Sequence, residues 1–127
     1  MINLTVLGKP ITKKNSQRIL YNRQTKRNFI APSKQYLNYR RDFLMQVQKY
    51  RRKHPLDEPL CIQALYYMPT RHKVDITNLM NATHDLLQDG HIIADDSSDI
   101  VKSVDGSRVL YDKFNPRVEI IITEFKE

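Results

Sequence analysis

Four aspartates stand out for the chemistry they could do: Asp75, then Asp95, Asp96 and Asp99 in one short run. Carboxylates drawn together repel, and a cation or a shared proton must relieve them. Hard oxygen donors of this kind favour Mg²⁺, which needs only a few carboxylates when waters and phosphate complete its shell. A divalent ion beside a phosphodiester activates water and stabilises the departing oxygen. A plainer role competes for each residue: Asp75 as a helix N-cap, Asp95 and Asp96 as turn caps. The two sets flank a helical segment of roughly 20 Å at ~1.5 Å per residue. They can share one ion only if the chain after Gly90 folds back along that helix. Ile92 and Ile93 are apolar enough to pack there.

Charge points to the partner. The 127 residues carry 21 Lys and Arg against 14 Asp and Glu, a net +7. Residues 1–55 hold 14 of those cations and one acid, Asp42, a balance of +13. Residues 56–127 hold seven cations and 13 acids, a balance of −6. Such a split points to a polyanion bound by the basic half. Lys13, Lys14, Asn15, Arg18, Arg23, Lys26 and Arg27 form its densest stretch, suited to wrapping phosphates. Arg71, His72 and Lys73 precede Asp75 and are further candidates for phosphate contact, with His72 alternatively a proton carrier. A protein that only coats nucleic acid has no use for Asp95-Asp96-x-x-Asp99.

Other classes fall away. At 40% hydrophobic and 28% charged residues the chain can bury a core, so disorder is excluded. One cysteine, Cys61, permits neither an internal disulfide nor a Cys-rich zinc site; it reads as a small buried hydrophobe. No apolar run reaches the ~20 residues of a membrane span and no signal peptide opens the chain, so a cytoplasmic protein is expected. His54, His84 and His91 lack paired ligand spacing and read as structural or surface residues.

The elements that must position the aspartates follow from periodicity. Residues 2–7 alternate as a strand, and 18–21 and 28–31 could pair as a basic hairpin. Ser33 is placed to cap a helix running to about Lys53, with Tyr36, Tyr39, Phe43, Val47 and Tyr50 as its apolar stripe. That stripe is suited to a core or a dimer interface. Residues 60–68 form a strand covered on both faces. A second helix spans 77–88 with Gly90 as its C′ residue. Asn78, Asn81, Asp85 and Gln88 share its polar side. Strands over 100–110 and 117–123 complete a single α+β domain, residues 1–127. Its mixed sheet carries two helices in the order β, basic hairpin, α, β, α, β, β.

The residues Lys73-Val-Asp-Ile-Thr-Asn-Leu79, then Asp85, then Gly90-His-Ile-Ile-Ala-Asp-Asp-Ser-Ser-Asp-Ile100, resemble the RusA-type Holliday-junction resolvases. The opening Gly8-Lys-Pro-Ile-Thr-Lys-Lys-Asn-Ser16 and the closing strand Arg117–Glu124 resemble the same family. The resemblance implies a small α+β homodimer, in many cases encoded by a prophage, that cuts branched DNA using Mg²⁺ or Mn²⁺. By position it implies that Asp75 and Asp96 are metal ligands and catalytic, with Asp95 a lesser candidate. Asp85 takes a supporting place. Two positions depart from the family pattern: Thr77 stands where the motif has a second Asp, and Asn81 where it has a lysine. Thr77, Asn78, Asn81 and Asp99 are accordingly supporting candidates, Asp99 as a source of the missing charge. A non-catalytic binder of branched DNA that kept the fold with a weakened metal site is the alternative.

Overall fold

Strands form where branched apolar residues alternate with polar ones, and helices where they recur every three or four. In a computed structural model, which describes residues 1–13 and 17–127 (of Gln17 and Arg18 the backbone only), nine elements follow. They are β1 (Ile2–Leu7), β2 (Gln17–Asn22), β3 (Arg27–Pro32), α1 (Lys34–Val47), β4 (Leu60–Met68), α2 (Ile76–Asp89), β5 (Val101–Ser103), β6 (Arg108–Tyr111) and β7 (Arg117–Glu124). The architecture is α+β, with a mixed five-stranded sheet and a separate two-stranded hairpin, β2–β3.

β7 lies between β1 and β4, antiparallel to both. Register puts Leu4, Ile120 and Ala64 side by side, so one face of the sheet collects every buried residue of the three strands. The helices lie on that face. Tyr39, Phe43 and Val47 of α1 and Leu79, Leu86 and Leu87 of α2 close the core over it. Ser33 caps α1 as expected, its hydroxyl accepting the Tyr36 N–H at 3.1 Å. Tyr66 donates from its hydroxyl to Thr83 Oγ1 at 2.7 Å, and Thr83 donates to the Leu79 carbonyl at 2.9 Å. This buried chain fixes α2 on β4.

Three expectations are corrected. First, α1 stops at Val47 and tightens into a 3₁₀ turn, Gln48–Tyr50, short of Lys53. Arg52 N–H instead bonds the His91 carbonyl at 3.0 Å, which draws the chain toward the end of α2. Second, β4 is not sealed on both faces: alternate residues are buried, and those between them are half-buried. Cys61 lies among the latter, its thiol 3.6 Å from Ser103 Oγ, rather than in the core. Third, the strand expected over 100–110 is two strands, β5 and β6, both parallel to β4 along one edge. The break lies at Asp105-Gly106, where Gly106 takes φ +85°. Ser107 Oγ fills the gap by accepting the Ala64 N–H at 3.0 Å. Of the two readings offered for His84, structural or surface, the buried one holds.

A Cβ on Gly106 would stand 2.6 Å from Gln63 Nε2 as well as straining the backbone. Gly106→Ala is expected to cost about 1–2 kcal/mol, since a side chain at left-handed φ clashes with its own carbonyl. Urea unfolding reads this as a lower midpoint at unchanged slope.

Candidate active site

α2 carries the site. Its buried stripe of Leu79, Ala82, Thr83, Leu86 and Leu87 orients the helix, which leaves Asn78, Asn81, Asp85 and Gln88 on its other side. Asp75 is the N-cap, and its Oδ1 accepts the Thr77 N–H at 2.9 Å. A carboxylate there also meets the positive end of the helix dipole.

The far end of α2 reverses the chain. Gly90, His91 and Ile92 donate their N–H groups to the carbonyls of Leu86, Gln88 and Leu87 at 2.9–3.0 Å. The left-handed residue here is His91, φ +58°, and not Gly90, φ −79°. Gly90 is required for closeness: a Cβ would lie 3.2 Å from the Leu86 carbonyl oxygen and 3.4 Å from Val47 Cγ2. Beyond it Ile92 and Ile93 are buried, and the chain pairs with Leu56 through N–H···O bonds of 2.8 and 3.0 Å. The chain after Gly90 therefore turns back toward the core, without bringing its aspartates to Asp75.

It delivers Asp96 to Asp85. The two carboxyls are neighbours, near enough for Asp96 to act on Asp85. Burial raises the Asp85 carboxyl above its ordinary range, and the neighbouring Asp96 raises it further. Lys13, from the segment after β1, opposes that shift. Tyr36 of α1 also faces this corner: burial, then the charges of Asp85 and Asp89, push its hydroxyl up to about 12. His84 is held neutral by burial, against the pull of Asp96, and its Nε2 has no partner among the described residues.

Asp75 stands apart from this pair. It precedes Asp85 by ten residues, about 15 Å along a helix axis at ~1.5 Å per residue. Asp95 is fully exposed and organises the turn instead. Its carboxylate accepts from Ser97 and from the Asp96 N–H at 2.9 Å, which holds it below the usual carboxylate range. Asp99, Thr77 and Asn81 are exposed, and Asn78 is half-buried. Among the described residues no three His, Cys, Asp or Glu gather as a metal cluster. The Asp85–Asp96 pair nonetheless fits a divalent ion: both donors are hard oxygens, and their repulsion is what a cation relieves.

The basic residues divide by what already holds them. Arg23, Lys26 and Arg27 are exposed around the β2–β3 turn, and Lys13 and Lys73 are also exposed. Arg71 stacks its guanidinium 4.1 Å from the centre of the Tyr111 ring. Lys14 and Asn15 lie outside the described residues, as does the side chain of Arg18. Asp85, expected in a supporting role, has Asp96 as a neighbour that the sequence did not announce. The signal available was its place on the polar side of a helix whose following residues, Ile92 and Ile93, had to turn back toward the core.

The family sequence model of the endodeoxyribonuclease RusA matches residues 8–123 of this 127-residue chain, so its class is that of the endodeoxyribonucleases. The chain belongs to the RusA family, which is one of Holliday-junction resolvases, generally dependent on divalent metal. A comparison with curated proteins returns no match. Among the described residues no helix is long and apolar enough to cross a membrane.

Proposed function

We propose that this protein is a Mg²⁺-dependent endonuclease that resolves Holliday junctions and related branched DNA in recombination and repair. The observation that carries the reading is a half-buried carboxylate, Asp85, neighboured by the exposed Asp96 and under the charge of Lys13, on a chain of this family. Asp96 and Asp85 would hold the ion. When bound, the ion supplies an activated water and relieves charge on the departing oxygen. Lys13 provides positive charge next to the pair, where a phosphate would enter. Arg71 and Lys73 extend that charge along the approach to α2. Asp75, the first carboxylate of the family motif, joins the same ion only if the segment before α2 closes toward Asp96. A two-fold homodimer suits a four-way junction, because two sites then meet two symmetric strands.

A second reading, a binder without chemistry, is favoured by Thr77 and Asn81 standing where the motif has Asp and Lys. One assay separates the two. Four-way junction, replication fork and linear duplex are incubated with the protein while Mg²⁺ or Mn²⁺ is titrated. Paired symmetric incisions in the junction support the resolvase. Junction bound but uncut at every metal concentration leaves only the binder.

The hairpin cations make a quantitative claim about DNA affinity. Each phosphate neutralised releases counterion, so affinity falls linearly in log–log with salt. Replacing Arg23, Lys26 and Arg27 together by alanine is expected to lower that slope by about three. Titrations of labelled junction across a salt series measure it.

A further inference from the structure

We infer that the β2–β3 hairpin reads the branch point itself, by seating an apolar face against unstacked bases. The inference rests on branched DNA being the substrate. Cross-strand register pairs Ile19 with Ile30 and Tyr21 with Asn28, so Ile19, Tyr21 and Ile30 share one face. That face is open: Ile19 is 72% exposed, Ile30 66% and Tyr21 59%. Among the described residues the hairpin is its own two-stranded sheet, with no third strand paired to it. A lone hairpin is marginal in water, and a contiguous exposed apolar face marks a binding surface.

Charge selects the occupant. Arg23, Lys26 and Arg27 are exposed at the turn of the same hairpin, and no acid occurs in the sequence before Asp42. A second copy docked face to face would set three cations from each chain together with no acid on either hairpin, an arrangement that like charge opposes. Nucleic acid meets the cations with phosphate. The face offers branched aliphatic groups and one phenol ring, with the amide of Asn28 beside the phenol, and the apolar groups suit stacked or wedged contact with bases rather than reading of their edges. Linear duplex keeps its base faces stacked and covered; a branch point exposes them. The hairpin turn is built to hold this shape, since Asn22 Oδ1 accepts the Gln24 and Thr25 N–H groups at 2.9 and 3.2 Å and Lys26 adopts φ +55°.

The test places 2-aminopurine at the crossover of a synthetic four-way junction, with EDTA present to stop cleavage. Wild-type protein is expected to raise its fluorescence severalfold, because unstacking relieves quenching. Ile19→Thr combined with Ile30→Thr keeps the β-branched shape that suits a strand. This variant is expected to lose most of the rise and about 10- to 30-fold in junction affinity, with affinity for linear duplex unchanged. Ile19→Leu with Ile30→Leu should retain both, which separates loss of apolar surface from loss of the hairpin. An unchanged rise in the threonine variant overturns the inference. So does a threonine variant that becomes monomeric by sedimentation where the wild type is dimeric, since the face is then a contact between copies. Wild-type protein that cuts junctions with no fluorescence rise overturns the wedge and leaves the resolvase standing. Wild-type protein with no preference for junction over duplex overturns both.

Discussion

Asp96→Asn is expected to cut junction cleavage by about 10³-fold, the scale of losing a centre that stabilises transition-state charge, and to leave junction binding intact. Asparagine keeps the size of the side chain, and the backbone N–H of residue 96 still reaches Asp95 Oδ1, so the turn survives. What disappears is one of the two negative charges that would draw a divalent ion to this corner. Affinity for DNA should hold or tighten, because a negative charge near the phosphates has gone. Single-turnover cleavage and gel-shift titration measure the two halves separately. Cleavage equal to wild type would remove Asp96 from the chemistry. Asp75→Asn is the companion variant. Asparagine caps a helix about as well as aspartate, so a fall in cleavage at constant melting temperature assigns Asp75 to the reaction. Unchanged cleavage leaves it as the cap of α2.

Asp85→Asn should make the metal-free protein more stable at neutral pH while removing its response to metal. The Asp85 carboxyl is raised in the folded chain, by burial first and then by Asp96. A raised carboxyl binds its proton more tightly in the folded than in the unfolded state. Its favourable contribution is therefore complete below the unfolded value, about 3.9, and is lost as pH rises through the higher folded value. Above that value Asp85 carries a charge that burial and the neighbouring Asp96 both oppose. The asparagine variant lacks that charge and is expected to melt about 2–5 °C higher in EDTA. Metal reverses the order. At a hundredfold excess over Kd a bound ion adds about 2.7 kcal/mol, or roughly 10 °C for a chain of this size. Wild type should gain that increment and Asp85→Asn should lose most of it. Thermal melts of both proteins in EDTA and in Mg²⁺, at pH 5 and pH 7, give all eight values. A wild-type melting temperature indifferent to both pH and Mg²⁺ would refute a metal site on this pair.

The local features were legible because their causes are local. Ser33 caps α1 through a bond to a residue three positions away, and the Tyr36, Tyr39, Phe43 stripe faces the core because helical pitch leaves it no other place. The hairpin of β2 and β3 follows from two β-like patches about a polar turn. Other features depended on neighbours distant in sequence. The split of β5 from β6 was signalled by Asp105-Gly106, a strong turn dipeptide, but the alternating pattern on either side masked it. His91 rather than Gly90 takes the left-handed turn, while Gly90 sits where a Cβ would press on the Leu86 carbonyl oxygen and touch Val47 and Leu44 of α1. His84 is buried and feels the charge of Asp96, which the fold-back brings near and no helical wheel of α2 alone contains.

The division of charge, the carboxylates and the helix between them belong to the sequence alone. Pitch and propensity act over a few residues, and they sufficed for the family resemblance, the polar stripe of α2 and the basic hairpin. Which carboxylates meet was decided by tertiary structure. Asp85 and Asp96 are eleven positions apart, and their approach depends on Ile92 and Ile93 entering the core and pairing with Leu56, a residue on another segment. A helix fixes the spacing of groups along itself; only packing between segments sets where the next segment brings its charge.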